Sequence, residues 1–388
     1  MTKRERHQTE RSERGLRSLA EEAVGEALKD AGAGPDEIDL VCFSNAAAGP
    51  ITGQGCITGQ ATLRHTGLLG SPIVNIENAC ASGSTAFAMA CANLAAGTAD
   101  VAIVVGAEKL SHPDKAKTFA AFSSAYDQEE PPTAARSAGT AAGRSVFMDV
   151  YARVAIDYMR KSGATVEDFA QVAVKAHRHG ALNPKAQYGQ PVTAEAVLAS
   201  RAVSGPLTVL MCSPIGDGAA TLVLANERGL ARLDADPVRV LATSLVSGRD
   251  RGDGAPSAVQ RAVERAYREA GVGPDDLDVI ELHDAAAPAE LIVYEELGLC
   301  GPGEARELLH SGATALGGRV PVNPSGGLQS KGHPVGATGR AQLVELADQL
   351  RSRCGERQVN GARIALAENA GGYLENDPAV ATVAILAR

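Results

Sequence analysis

Along Glu22–Asn45 (EAVGEALKDAGAGPDEIDLVCFSN) apolar residues first recur at helical spacing and then run together as a strand. A glycine stop and a Gly-Pro-Asp turn separate the two stretches. The pattern returns at Arg261–Asp284 (RAVERAYREAGVGPDDLDVIELHD), matching Ala23 with Ala262, Gly32 with Gly271, Pro35 with Pro274 and Asp39 with Asp278. Each copy predicts an amphipathic helix followed by a buried strand. Two further pairs follow in the same order. Val74-Asn75 and Val322-Asn323 each lead through a small-residue turn to a helix, from about Gly83 and about Gly336. Val101–Val105 before Gly106 matches Ile364–Ala367 before Gly371. Alternating helix and strand predicts an α/β protein with largely parallel sheets, and so long a period occurring twice implies duplicated domains. The expected halves are 1–225 and 226–388, the first interrupted by an insertion at about 108–190. Eight of the 13 Phe and Tyr residues fall in the insertion (Phe119, Phe122, Tyr126, Phe147, Tyr151, Tyr158, Phe169 and Tyr188). Such a cluster fits a cap lining an apolar pocket or a satellite core beneath a long loop.

Composition narrows the function classes. At 388 residues the chain exceeds one hydrophobic core, and with 3% aromatics and no Trp its core must be built from small residues. A net charge of -9 without charged blocks argues against a nucleic-acid surface. No apolar run approaches a membrane span, the Arg- and Glu-rich start is not a signal peptide, and Ile385-Leu386-Ala387-Arg388 is not a peroxisomal address. Seven scattered cysteines lack the paired spacing of disulfides or a zinc site, so a cytoplasmic protein without metal is expected.

Candidate chemistry concentrates at the turns. Cys80, in Asn78-Ala79-Cys80-Ala81-Ser82-Gly83-Ser84, opens an Ala-rich helix, where the dipole and free N–H groups are expected to lower the thiol pKa and to hold an oxyanion. The equivalent second-half turn, Asn323 to Gly336, contains His333, which the pseudo-twofold relation places opposite Cys80. His283-Asp284 ends a strand, where sites of open α/β sheets gather. His177-Arg178-His179 reads as a solvated helix face. Lys115, Lys117, Arg136 and Arg144 suit CoA phosphates or plain surface equally.

These motifs resemble the thiolase superfamily. NACASGSTA is similar to its nucleophile loop and PSGGLQSKGHPVGATG to its Gly-His-Pro loop, while ELHDAAAPAELIVYEELGLC is similar to the His-Asp-Cys-Phe segment of the sterol-carrier-protein-type branch. Arg201–Ala220 also resembles that branch. The resemblance implies duplicated βαβαβαββ halves in a five-layered αβαβα core and a homodimer, with an acyl-CoA or acyl-carrier-protein substrate and no further cofactor. It implies Cys80 as acyl acceptor, His333 as its activator, and His283 in a second oxyanion hole. The same resemblance implies that backbone N–H groups of Cys80 and of the Gly371-Gly372 loop form the first oxyanion hole. Phe119, Phe147, Met148, Asn323, Ser325 and Tyr373 are candidates to contact substrate. Two departures stand out. The branch's second cysteine, the base for the α-carbon, is replaced by Ala285 at one place and by Asn369-Ala370-Gly371-Gly372-Tyr373 at the other, leaving His283 and Tyr373 nearest. A strand that the family places ahead of Met1-Thr2-Lys3 also has no counterpart.

A retained nucleophile without the carbon base favours an acyltransferase passing its acyl group to a small molecule, as in specialised metabolism. A sterol-carrier-type 3-oxoacyl-CoA thiolase, a thiolase-fold retro-aldolase and a non-catalytic partner of an OB-fold protein are the alternatives.

Overall fold

A computed structural model describes residues 14–133, 145–252 and 254–388. The first repeat forms helix α1 (Leu16–Asp30) and strand β1 (Leu40–Ser44). Next come β2 (Ile73–Ile76), helix α2 (Ser82–Ala95), β3 (Val101–Glu108) and β4 (Gly218–Ala225). Between β3 and β4 the insertion carries α3 (Lys115–Phe122), α4 (Val146–Ser162) and α5 (Val166–Ala181). The second half runs β5 (Arg239–Ser247), α6 (Ala258–Ala270), β6 (Val279–Glu281), α7 (Ala287–Glu296), α8 (Gly327–Lys331), α9 (Val335–Leu350), β7 (Ile364–Gly371) and β8 (Val380–Ala387).

The repeat is visible in the pairing. Val41 lies opposite Ile103 in the first sheet, and Ile280, its sequence match, lies opposite Leu366 in the second. Asp39 accepts the backbone N–H groups of Asp100 and Val101, both at 2.9 Å. Asp278 accepts those of Arg363 and Ile364 at 2.7 and 2.8 Å. The same carboxylate ties the same two strands together in each half.

The sheets are mixed, which corrects the expectation of largely parallel ones. The first has the order β2-β1-β3-β4, with β2 and β3 parallel to β1 but β4 antiparallel to β3. The second has the order β5-β8-β7-β6, with β8 antiparallel to both neighbours and only β6 parallel to β7. For β8 the reason is connectivity: β7 and β8 are joined by a short loop, and such loops reverse the chain, whereas parallel pairing needs a crossover. Among the described residues β4 is paired on one side only, while its counterpart β8 is flanked on both. The expectation for Met1–Lys3 lies outside the described residues.

Each sheet is buried on both faces. Val41 and Phe43 join the α1 side of the core, while Leu40 and Cys42 meet Ala86, Ala90 and Leu94 of α2. In the second half Ala381, Val383 and Ile385 face α6, while Ala384 and Leu386 meet Phe87 of α2 and Leu343 and Leu346 of α9. Five layers result: α1, the first sheet, the pair α2 and α9, the second sheet, and α6.

The insertion divides its aromatics. Phe169 and Tyr158 are buried in the outer core of the second half, and Met148 and Tyr151 pack on its margin. Phe122 instead joins the small apolar cluster that contains Cys80. The insertion is therefore both satellite core and site wall. His177 and His179 are buried, not solvated. Helix α5 is pressed onto the glycine-rich loop, where His179 donates from Nδ1 to Asn323 O at 3.0 Å and accepts the Leu316 N–H at Nε2. His177 stacks on Tyr188, with ring centroids 5.5 Å apart.

Glu108, at the end of β3, joins the halves. Its buried carboxylate accepts the N–H groups of Gly336 (2.9 Å), Ala46 (3.0 Å) and Ala47 (3.3 Å), and the Asn45 amide (2.9 Å). Replacing Glu108 with Ala would strand these donors, so Glu108→Ala is expected to lose about 3 kcal/mol of stability in denaturant unfolding, with Glu108→Gln losing less.

Candidate active site

Three loops meet where the two central helices begin. In the first, β2 ends and the chain turns sharply before α2. Glu77 accepts the Ala79 N–H at 2.6 Å, and Asn78 O accepts the Ala81 N–H at 3.0 Å. The Ser82 hydroxyl donates to Ala79 O at 2.6 Å and accepts the Asn78 N–H at 2.8 Å. These bonds hold Ala79 at φ +49°, a left-handed conformation that non-glycine residues seldom adopt. Cys80 follows on a single 3₁₀ turn, partly accessible, and packs against the same small apolar cluster as Ala46, Phe122 and Ile215.

The second loop is held by carboxylates. Glu281 accepts the Ser325 N–H and hydroxyl at 3.0 and 2.7 Å and pairs with Lys331 at 3.2 Å. Asp284 accepts from the Leu328 N–H (2.7 Å) and the Gln329 amide (3.0 Å). Asn323, at φ +55°, donates to Glu290 and accepts the Leu282 N–H. Both Asn323 and Ser325 are wholly buried. Their side chains are engaged in holding the loop.

The loop delivers His333 to Cys80, with Nε2 3.2 Å from Sγ. At 2.7 Å from Nδ1 stands the hydroxyl of Thr338, which donates to Pro334 O at 3.2 Å and so accepts the Nδ1 proton. That tautomer turns the bare Nε2 lone pair toward the thiol. The His283 ring meets the His333 ring edge-on with centroids 5.1 Å apart, and its Nε2 is buried without a hydrogen-bond partner. His283 is anchored through its backbone N–H to Glu368 at 3.0 Å. The donor atoms of Cys80, His283 and His333 all lie within 4.8 Å of one another, a set that suits a borderline-soft metal as well as proton transfer.

The third loop closes the site. A Cβ on Gly371 would lie 2.4 Å from Asn78 O, so only glycine permits this approach. Gly372, at φ +62°, directs its N–H at the Cys80 sulfur. The N–H groups of Cys80 and Gly372 thus converge on the sulfur, and Gly371 supplies the clearance. The Tyr373 N–H is held by Ala125 O at 3.1 Å.

Electrostatics overturn one expectation. The thiol is pushed up to about 12, first by burial and then by the charge of Glu108, against the opposing N–H groups of Cys80 and Gly372. Burial likewise drives His333 well below its ordinary value, aided by His283 and Lys331, and burial alone takes His283 down to about 4. The helix terminus does not prevail because a low-dielectric pocket penalises the thiolate more than the dipole favours it. Cys80 and His333 therefore rest as a neutral pair. Burial also raises the Tyr373 phenol, making it a poor base.

Among the remaining candidates, Phe119, Phe147 and Met148 are half-buried on α3 and α4, and it is Phe122 that shares an apolar cluster with Cys80. Tyr151, one turn beyond Phe147, has its phenol pushed far above its ordinary value by burial and then by Cys80, Glu368, Asp284 and Tyr373. Sequence reasoning left Thr338, Glu108, Phe122 and Tyr151 out of the site, although the period of α4 carries Tyr151 onto the face of Phe147. Lys115 and Lys117 are exposed, and Arg136 and Arg144 lie outside the described residues.

Residues 1–228 match the family described as thiolase, N-terminal domain, and residues 242–388 the one described as thiolase C-terminal domain-like. Bovine sterol carrier protein 2 is 37% identical over 375 residues, covering 91% of this chain and 66% of that protein. The chain therefore spans about two thirds of that relative's length. The benzoylsuccinyl-CoA thiolase subunit BbsB of Thauera aromatica is 37% identical, covering 82% of each. An acetyl-CoA acetyltransferase of Methanothermobacter thermautotrophicus is 36% identical over 92% of this chain and 91% of its own. Among solved structures, the Ltp2-ChsH2(DUF35) aldolase superposes with a TM-score of 0.78 at 26% identity, covering 96% of this chain and 93% of that one. Human mitochondrial 3-ketoacyl-CoA thiolase shares the fold, with a TM-score of 0.68 at 18% identity over 97% and 93%.

If Thr338 sets the tautomer of His333, Thr338→Val slows alkylation of Cys80 by iodoacetamide. The expected loss is about ten-fold, part of the 10²–10⁴ that a positioned base contributes. The rate is read by intact-mass time courses, and unchanged thermal melting would separate the effect from unfolding.

Proposed function

Because the chain belongs to the thiolase family, we propose that it is an acyl-CoA acyltransferase in which Cys80 carries the acyl group. The observation that carries this reading is the 3.2 Å approach of His333 Nε2 to the Cys80 sulfur, with two backbone N–H groups aimed at the same place. The thiol proton passes to Nε2 as sulfur attacks the thioester carbonyl. The resulting oxyanion is held by the Cys80 and Gly372 N–H groups. Collapse expels the CoA thiolate, which takes the proton back from His333 and leaves acyl-Cys80. An acceptor nucleophile then repeats the steps with the acyl-enzyme. The reading needs no cofactor beyond the CoA or carrier-protein thioester.

The acceptor is inferred from what the site lacks. Ala285 stands where the branch has a thiol base, and Asn369 is bonded to Ser84 and Gln342. An alcohol, an amine or an already acidic carbon therefore fits better than acetyl-CoA, whose α-carbon needs a base. His283, neutral and without a partner at Nε2, is positioned to take the acceptor's proton or to donate to a carbonyl. Such acceptors suit specialised metabolism.

A second reading, retro-aldol cleavage with a DUF35-type partner, is favoured by the likeness to the Ltp2-ChsH2(DUF35) aldolase. The Cys80–His333 pair weighs against it, since that chemistry has no use for an activated thiol. A homodimer is supported by β2, an edge strand among the described residues, around which Ile57, Leu69, Val74 and Met89 expose large apolar side chains. No helix among the described residues is long and apolar enough to cross a membrane.

Incubation with a panel of acyl-CoA thioesters should add one acyl mass to the wild type and none to Cys80→Ala, while CoA-dependent cleavage of 3-oxoacyl-CoA should be absent. No adduct with any thioester would remove the acyltransferase reading. Thiolysis by the wild type would replace it with a degradative thiolase.

A further inference from the structure

We propose that Cys80, His283 and His333 form an inhibitory zinc site, a Cys-His₂ set that captures a divalent zinc ion and holds the enzyme inactive until the metal is withdrawn. Three observations carry this. The donor atoms of the three residues lie within 4.8 Å of one another, with Cys80 Sγ and His333 Nε2 already at 3.2 Å. Zinc bonds of about 2.3 Å to sulfur and 2.0–2.1 Å to nitrogen place tetrahedral ligand atoms roughly 3.4–3.6 Å apart, so side-chain torsions of modest size close the set. The Nε2 atom of His283 is buried and has no hydrogen-bond partner, although the residue keeps only 6% of its surface open. An unpartnered buried nitrogen beside a thiol and a second imidazole is a site short of one ligand. Finally, His333 has its outer contact in place. Thr338 holds Nδ1, which leaves Nε2 as the donor that a metal requires.

Ligand type selects the metal. Thiolate with two imidazoles suits zinc and is poor for the oxygen-seeking magnesium and calcium. Binding exchanges the thiol proton for the metal: the S–H bond breaks, a zinc–sulfur bond forms, and one proton leaves to solvent. Both imidazoles enter neutral and lose nothing. Three protein ligands leave the fourth position to water, reached through the face on which Cys80 is accessible. The consequence for catalysis is direct. Zinc occupies the sulfur lone pair that attacks the thioester and the nitrogen that takes the proton, so metal binding and acylation exclude each other.

The inference uses the same residues as the proposed function but does not depend on the acyl reaction, and one experiment separates them. Chelator-treated, fully reduced protein is titrated with Co²⁺ as a spectroscopic probe. The expected result is a near-ultraviolet thiolate-to-cobalt charge-transfer band with visible bands of a tetrahedral ion, saturating at about one equivalent and displaced by Zn²⁺. Cys80→Ala should abolish the charge-transfer band. His283→Ala should weaken binding by about 100-fold, and prior alkylation of Cys80 should prevent it. Cys56→Ala, which removes the exposed thiol outside the site, should change nothing. Circular dichroism of each variant confirms folding. Absence of the band at excess cobalt, its survival in Cys80→Ala, or its loss in Cys56→Ala would overturn the inference. Acylation in the presence of chelator, read by intact mass, reports separately on the proposed function.

Discussion

The site depends on one packing constraint, the close passage of the two central helices at glycine. A Cβ on Gly339 of α9 would lie 2.8 Å from Ser84, and one on Gly83 of α2 would lie 3.1 Å from the Arg340 N. With hydrogen alone at both positions the backbones meet nearly face to face. Because the helices are equivalent members of a duplicated unit, their N-termini and preceding loops converge from opposite halves. A larger residue at either position would force the helices apart at the point where they hold the two loops together, and so lengthen the 3.2 Å contact between sulfur and imidazole. Packing density thus sets the chemistry, since an interior this close-packed passes on a displacement instead of absorbing it.

Burial then decides the charge state. Raising the thiol from its ordinary 9.0 to about 12 corresponds to roughly 4 kcal/mol. A helix N-terminus offers up to ~2 kcal/mol in partly buried geometry. Desolvation wins, and the pair waits as thiol and imidazole. In the proposed reaction, charge appears only as the thioester is attacked, where the Cys80 and Gly372 N–H groups would meet the new oxyanion. A neutral resting pair also spares the enzyme the cost of a buried, unpaired thiolate.

The polar groups around the site serve mainly to hold loops. Glu281, Asp284 and Glu290 each accept from the Asn323–Gln329 turn, and Glu108 fixes the start of α9 to the first half. These carboxylates are satisfied by backbone, amide, hydroxyl and lysine donors, which together hold the glycine-rich segment in place. These bonds converge on the loop that carries His333. On the acceptor side, Ala285 offers no thiol, and the His283 imidazole stands within 4.8 Å of the sulfur.

Much of this was legible in the chain. The paired repeats, down to Asp39 and Asp278, carry the halves and the central helices, because helical and strand periods and turn residues are local signals. Cys80 and His333 could be placed opposite each other since duplication is itself written in sequence. Other features required the folded chain. Strand direction in β4 and β8 follows from connections and pairing, not from residue pattern. Asn323 and Ser325 are held by buried carboxylates, Glu290 on α7 and Glu281 on β6, that lie well apart from them in the chain. His177 and His179 look solvated until helix α5 is laid on the glycine loop. The thiol's protonation depends on how much water the surrounding loops exclude, which no local pattern records. Sequence determined which groups are present and in what order along each half; tertiary structure decided which become partners and at what dielectric, because both are set by contacts between residues far apart in the chain.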